Sequence, residues 1–120
     1  MSRSIPAALA AALGAALRLR LTRYEVAEDS MIPTLHPGDW VLGVRRPGRL
    51  GRGDIVVVDH PHRPGFELVK RVTEIGPSGV AVAGDNPDHS TDSRHFGPVA
   101  RAAVHARLLL VYRPRPLRPL

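Results

Sequence analysis

Hydrophobic and polar positions divide the chain near residue 21. From residue 5 to residue 17 it is uncharged and almost wholly apolar, Ile-Pro-Ala-Ala-Leu-Ala-Ala-Ala-Leu-Gly-Ala-Ala-Leu. Alanine and leucine are strong helix formers and Pro6 suits an early helical position, so this stretch predicts a short helix. Beyond it the apolar runs shorten and become β-branched, at residues 24–27, 39–44, 54–59, 67–75, 79–83 and 104–112. Their length and composition predict about six strands. The breaks between them are turn chemistry: His36-Pro37-Gly38, Arg46-Pro47-Gly48, Gly51-Arg52-Gly53, Pro64-Gly65 and Gly76-Pro77. No internal repeat is visible. The expected architecture is mainly β, a compact barrel or sandwich with a short N-terminal helix. Its parts are an apolar segment over residues 1–20, a domain over 21–113 and a tail over 114–120. With Pro114, Pro116 and Pro119, that tail reads as an extended, mobile end.

At 120 residues the chain has room for one domain that folds on its own core. It has no cysteine, which removes disulfides, thiolate metal sites and a cysteine nucleophile together. The formal charge of +6 would suit nucleic acid or anionic lipid. However, the arginines are scattered from Arg3 to Arg118, only five residues are aromatic, and no nucleic-acid-binding module is present. Nucleic acid is therefore not expected as a partner.

The apolar segment admits three readings: a weak membrane anchor, a helix packed on the domain, or a removable leader. Thirteen residues make about 20 Å of helix, short of the roughly 30 Å hydrocarbon core. A removable leader fits poorly, because the stretch runs straight into arginines with little charge before it. Arg3 precedes it, while Arg18, Arg20 and Arg23 follow. If it contacts a membrane through residues 5–17, the positive-inside rule places the domain on the cytoplasmic side.

Charge chemistry singles out one position. Sixteen of the 17 basic residues are arginine, and Lys70 is the only lysine. Arginine stays protonated in proteins, whereas a buried lysine can lose its proton near neutral pH. In the run Leu68-Val69-Lys70-Arg71-Val72, strand alternation turns Lys70 to the same face as Leu68 and Val72. A charged amine there is costly, and burial lowers its pKa by disfavouring the ammonium form. A neutral lysine can take the proton of a serine. Ser30 lies in Glu28-Asp29-Ser30-Met31-Ile32-Pro33-Thr34-Leu35, where Pro33 and Pro37 stiffen a loop that follows a strand. By itself such a serine is as readily a turn or capping residue.

Taken together, these segments resemble the type I signal peptidases. Ser30-Met31-x-Pro-Thr-Leu, Gly53-Asp54-Ile55-Val56 and Val69-Lys70-Arg71-Val72 look like successive boxes of that family. The most distinctive box runs over residues 84–99, Gly-Asp-Asn-Pro-Asp-His-Ser-Thr-Asp-Ser-Arg-His-Phe-Gly-Pro-Val. The resemblance spans residues 24 to about 107 and implies a Ser/Lys dyad on a β-rich scaffold. It makes Ser30 the nucleophile and Lys70 the general base, with the Ser30 main-chain N–H helping to hold the oxyanion. It further implies that Ser90 orients the lysine, that Asp92 and Arg94 form a supporting pair, and that Met31 lines the cleft. No metal or organic cofactor is implied. The implied partner is a protein precursor carrying a leader or signal peptide.

The chain departs from the family at Glu28. That position, two before the nucleophile, often holds a small or hydroxyl-bearing residue, and an ionised carboxylate cannot donate to an oxyanion. A short chain with a Glu-Asp-Ser-Met start and a Pro-rich tail is most similar to the nickel-type superoxide dismutase maturation proteases, which remove a leader from a precursor. A general signal peptidase acting on secretory precursors is the alternative. LexA-like self-cleaving regulators share a Ser/Lys dyad, but about twenty Ala-rich residues cannot form a helix-turn-helix domain. An inactive binding module would be expected to have lost Ser30 or Lys70. A Ser-His-Asp triad finds no Gly-x-Ser-x-Gly context, although six histidines are present. His60-Pro61-His62 with His89 or His95 lacks a clearly spaced acidic ligand and reads as surface histidine rather than a metal site.

Overall fold

The computed structural model describes residues 6–120, apart from the side chains of residues 15–19. Arg3 and Ile5, and the side chain of Arg18, which bear on the apolar segment and its orientation, lie outside the described residues.

Helix α1 runs Ala7–Arg20. Pro6 sits just before it, and its carbonyl accepts from Ala10 N–H at 2.9 Å, closing the first turn without the donor proline lacks. Residues 7–13 are exposed, Leu9 and Leu13 at 51% and 54%, so this stretch does not pack on the sheet. Among the described residues no helix is long and apolar enough to cross a membrane.

Five of the six apolar runs become strands within a residue of the expected bounds, while the first, expected at 24–27, forms three residues earlier. The strands are β1 Leu21–Glu25, β2 Trp40–Arg45, β3 Ile55–Asp59, β4 Glu67–Gly76, β5 Gly79–Ala83 and β6 Val104–Arg113. The tail adds a two-residue strand, β7 Arg118–Pro119. Between β5 and β6 lies one short α-helix, α2 Ser93–Phe96, flanked by single 3-10 turns. All pairings are antiparallel and join one open sheet in the order β1-β2-β6-β3-β4-β5, with β7 beside β6.

The architecture is mainly β with a short N-terminal helix, as expected, and its strands share one open sheet. Strand β6 pairs β2 through Ala106–Arg113 and β3 through Val104–Arg107, linking the two halves of the sheet. Register shifts leave extra residues on β6, against β2 and β3, and on β4, against β5, where such irregularities increase the local twist. Strand β3 consequently carries core on both faces. Ile55 and Val57 join Val26, Met31, Leu35, Val41, Ala106, Leu108 and Val111, while Val56 and Val58 join Leu68, Val72, Val80, Val82, Val99 and Val104.

The tail is extended but anchored. Leu120 N–H donates to Leu109 O at 2.9 Å, and Arg115 pairs with Asp39, so the expectation of a mobile end gives way to a strand addition. Its missing proline donors matter little at a sheet margin.

Candidate functional site

The loop between β1 and β2 carries Ser30. Its base is closed by Val26 N–H to Asp39 O and Gly38 N–H to Val26 O, both 2.8 Å. Within it, Leu35 N–H donates to Met31 O at 2.9 Å, forming one helical turn. Met31 and Leu35 point into the first core, almost wholly buried. This apolar plug holds the turn against the sheet and leaves Ser30, 6% exposed, at its edge.

Lys70 lies in the middle of β4, opposite Val56 of β3. Alternation buries Leu68, Lys70 and Val72 on one face, and Lys70 is only 3% exposed. Its Nζ donates to Ser90 Oγ at 3.0 Å, and Ser90 Oγ donates in turn to Asp92 Oδ2 at 2.6 Å. Burial pushes the Lys70 amine below its ordinary value, and the Arg94 charge acts in the same direction. Asp92 and Glu28 pull it back without reversing the shift.

Asp92 is fully buried and satisfied on every side. Burial would raise its pKa, but bonds from Arg94, Ser90 and the N–H groups of Gly84 and Arg94 outweigh that and hold the carboxyl far below its usual range. It also caps α2, with His95 Nδ1 accepting from the Asp92 N–H at 3.3 Å. The Asp92 charge is therefore balanced locally by Arg94, at 2.9 Å.

A cavity of about 410 Å³ opens over this arrangement, and Ser30, Met31, Lys70 and Glu28 all line it. The structure thus gathers all six residues singled out in the sequence. Ser30, Met31 and Lys70 share the cavity, while Ser90, Asp92 and Arg94 form a chain behind the lysine.

Four further residues hold the Ser30 loop, and the sequence reading assigned them no role. Asp85 accepts from Arg71 Nε and Nη2 at 2.8 and 2.7 Å and from Thr34 Oγ1 at 2.6 Å, tying β4 to the loop. The Arg71 bonds hold the Asp85 carboxyl below its ordinary range. Asn86 N–H donates to Ser30 O at 2.9 Å and Asn86 Nδ2 to Asp29 O at 3.1 Å. Asp85 and Asn86 sit in the most distinctive sequence box, and Arg71 follows Lys70 on the opposite strand face. These positions were visible, but their partners, more than 50 residues away for Thr34 and Asp29, were not.

The histidines do not assemble as a metal site. His60 packs its ring on Phe66 and Phe96, at 6.2 and 5.2 Å, and its Nδ1 accepts from His62 N–H. Among the described residues, Asp59, Glu67 and His105 come close enough for one ligand atom each. Yet His105 and Asp59 already bond each other at 2.8 Å, and Arg20, Arg45 and Arg46 line the adjoining depression, a charge that opposes a cation.

The fold and this site define a class: a small antiparallel β protein that brings a buried amine and a buried hydroxyl to one open cleft. Comparison with known proteins agrees. The family described as signal peptidase, peptidase S26, matches residues 2–82 and 73–113, and the chain belongs to that family. It is 38% identical over 106 residues to the mitochondrial ATP-independent inner membrane protease subunit 1b of Arabidopsis thaliana, covering 67% of this chain and 63% of the relative. It is 34% identical to subunit 1a of the same plant, covering 78% and 71%. It is 32% identical to the mitochondrial inner membrane protease subunit 2 of Saccharomyces cerevisiae, covering 75% and 67%. The chain thus spans about two thirds of the length of these relatives.

Proposed function

We propose that the chain is a serine endopeptidase that removes an N-terminal leader from a protein precursor. The observation that carries this reading is Lys70: its amine is buried, held by Ser90, and lines the same cavity as Ser30. Lys70 in its neutral form takes the Ser30 proton as Oγ attacks the scissile carbonyl. The tetrahedral oxyanion is met by the Ser30 main-chain N–H, a donor of a kind worth roughly 3–4 kcal/mol in the barrier. The ammonium of Lys70 then protonates the leaving amine, and the C–N bond breaks to leave an acyl-enzyme. Water, giving its proton to Lys70, releases the acyl group and restores Ser30.

Ser90 keeps the amine aimed. Its single proton is committed to Asp92, so its lone pair faces Lys70. Asp92 and Arg94 hold Ser90 and do not touch the reacting atoms. Neither a metal nor an organic cofactor enters this scheme.

The family's description as signal peptidase favours general leader removal over nickel superoxide dismutase maturation. The relatives' names also suggest work beside a membrane, as part of a larger assembly and without ATP. The exposed apolar face of α1 suits such contact.

The test is cleavage by purified protein of a secretory precursor and of a nickel superoxide dismutase precursor, with the protein alone as a control for self-cleavage. Ser30→Ala and Lys70→Arg should abolish product while circular dichroism remains that of the parent. Melting should be parental in Ser30→Ala and lower in Lys70→Arg, which buries a charge that cannot be released. Ser90→Ala should lower kcat less. Full activity in Ser30→Ala or Lys70→Arg would refute the mechanism. Which precursor is cut, and at which bond, assigns the substrate.

A further inference from the structure

The Ser30 loop is fastened from the tail as well as from residues 85–86, and nothing in the chemistry above uses the tail. Asp39, at the foot of the loop, is 2% exposed, a costly place for a lone carboxylate. Its Oδ2 accepts from His36 N–H at 2.9 Å, and both its oxygens accept from Arg115, whose Nε lies 3.2 Å from Oδ1. The same guanidinium reaches Thr34 O at 3.1 Å, and Arg118 reaches that carbonyl at 2.6 Å. Thr34 is therefore held at both ends, with its hydroxyl on Asp85 and its carbonyl on two tail arginines. It sits inside the turn in which Leu35 bonds back to Met31, the neighbour of Ser30.

We propose that Arg115 is a positioning residue for the nucleophile, its fork bridging Asp39 and Thr34 so that the turn bearing Ser30 keeps its place against Lys70. A planar fork holds both carboxylate oxygens and a carbonyl in one fixed geometry, whereas the ammonium of a lysine, a point charge on a flexible stem, fixes neither orientation nor spacing. The bridge spans 81 residues to Thr34 and 76 to Asp39, so the last part of the chain completes a loop near its beginning. Small displacements at a reacting centre are expensive, and a loss of position of about 1 Å can cost about a hundredfold in rate.

The inference rests on the proposed peptidase reading for its kinetic arm, so it is tested with one readout that needs cleavage and one that does not. In the full chain, Arg115→Ala should speed amide exchange at Leu35 and His36 more than about tenfold while leaving β3 and β4 amides unchanged. In precursor cleavage it should lower kcat about tenfold to a hundredfold with little change in KM. Guanidinium ion, well below denaturing concentration, should restore part of the loss in Arg115→Ala and none in Lys70→Arg. Arg115→Lys, which keeps the charge that faces Asp39, should fall between parent and alanine variant and gives the answer if alanine does not fold. Unchanged exchange at Leu35 and His36, or exchange raised equally across the sheet, would overturn the proposal, as would a parental kcat in both variants. A parent chain that cleaves no precursor counts against the peptidase reading alone, because the exchange result stands without it.

Discussion

A methyl group placed on Gly84 would lie 2.3 Å from Ser90 Oγ and 2.6 Å from the Ser30 carbonyl oxygen. Neither neighbour can swing away, since one is the hydroxyl that holds Lys70 and the other is backbone bonded to Asn86. Gly84 also donates its N–H to Asp92, so it lies against the serine loop, the hydroxyl that holds Lys70 and the buried carboxylate together. Gly84→Ala should cost about 1–3 kcal/mol through overpacking and, by displacing Ser90, should reduce cleavage more than stability alone explains. Melting and turnover measured on the same preparation check this. Parental turnover in a folded Gly84→Ala protein would show that the contact is not needed.

At the scale of elements, the β1–β2 loop works because apolar residues pull it inward while polar clips fix its height. Leu35 is fully buried in the first core and its N–H closes the turn from Met31. Leu35→Ala should therefore destabilise the protein by about 2–5 kcal/mol, as other leucine truncations in cores do. Its effect on kcat should exceed that of an equally destabilising truncation in the second core, such as Val80→Ala, which lies on β5 away from the loop. Denaturant titration and turnover distinguish the two, and equal kcat losses at equal stability loss would contradict the role given to this turn. Strand β4 contributes differently. Its two faces serve the site separately, Lys70 inward to Ser90 and Arg71 outward to Asp85 and the Gly53 carbonyl.

For the molecule as a whole, pH acts through a few buried or half-buried groups. Lys70 has its pKa lowered by burial, so the amine is free to accept a proton only above that lowered value. Cleavage should rise with pH along one limb whose midpoint lies below the ordinary lysine value of about 10.4. Between the lowered and ordinary values the unfolded chain binds more protons than the folded one, so the Lys70 contribution to stability increases with pH across that window. Asp92, Asp39 and Asp85 have the opposite placement, with folded pKa values depressed. Their contribution is present above the ordinary aspartate value of about 3.9 and is lost as pH falls below it toward their folded values. Melting temperature followed from acid to alkaline pH should show that acid loss, and Lys70→Met should flatten the alkaline rise. A cleavage profile that falls with pH over the neutral range would contradict a lysine base.

Taken by itself, the sequence determined the strands and the lone amine. Five of the six runs became strands nearly where expected because alternation and turn residues are local properties, the first shifting toward the helix. Lys70 was legible because strand periodicity turned it inward beside Leu68 and Val72. Ser30 and the 84–99 box were legible through resemblance, since a loop serine carries no periodic signal of its own. Tertiary structure decided what lies between distant segments. It joined the strands in one open sheet, a pairing order that no single run encodes, because register shifts and the split pairing of β6 depend on segments far apart in the chain. It also joined Thr34 to Asp85 and to the tail arginines, and turned a proline-rich end into a strand. Hydrogen bonds across 50 or 80 residues depend on where folding brings the groups together, and that position exists only once the apolar faces of the sheet have been buried.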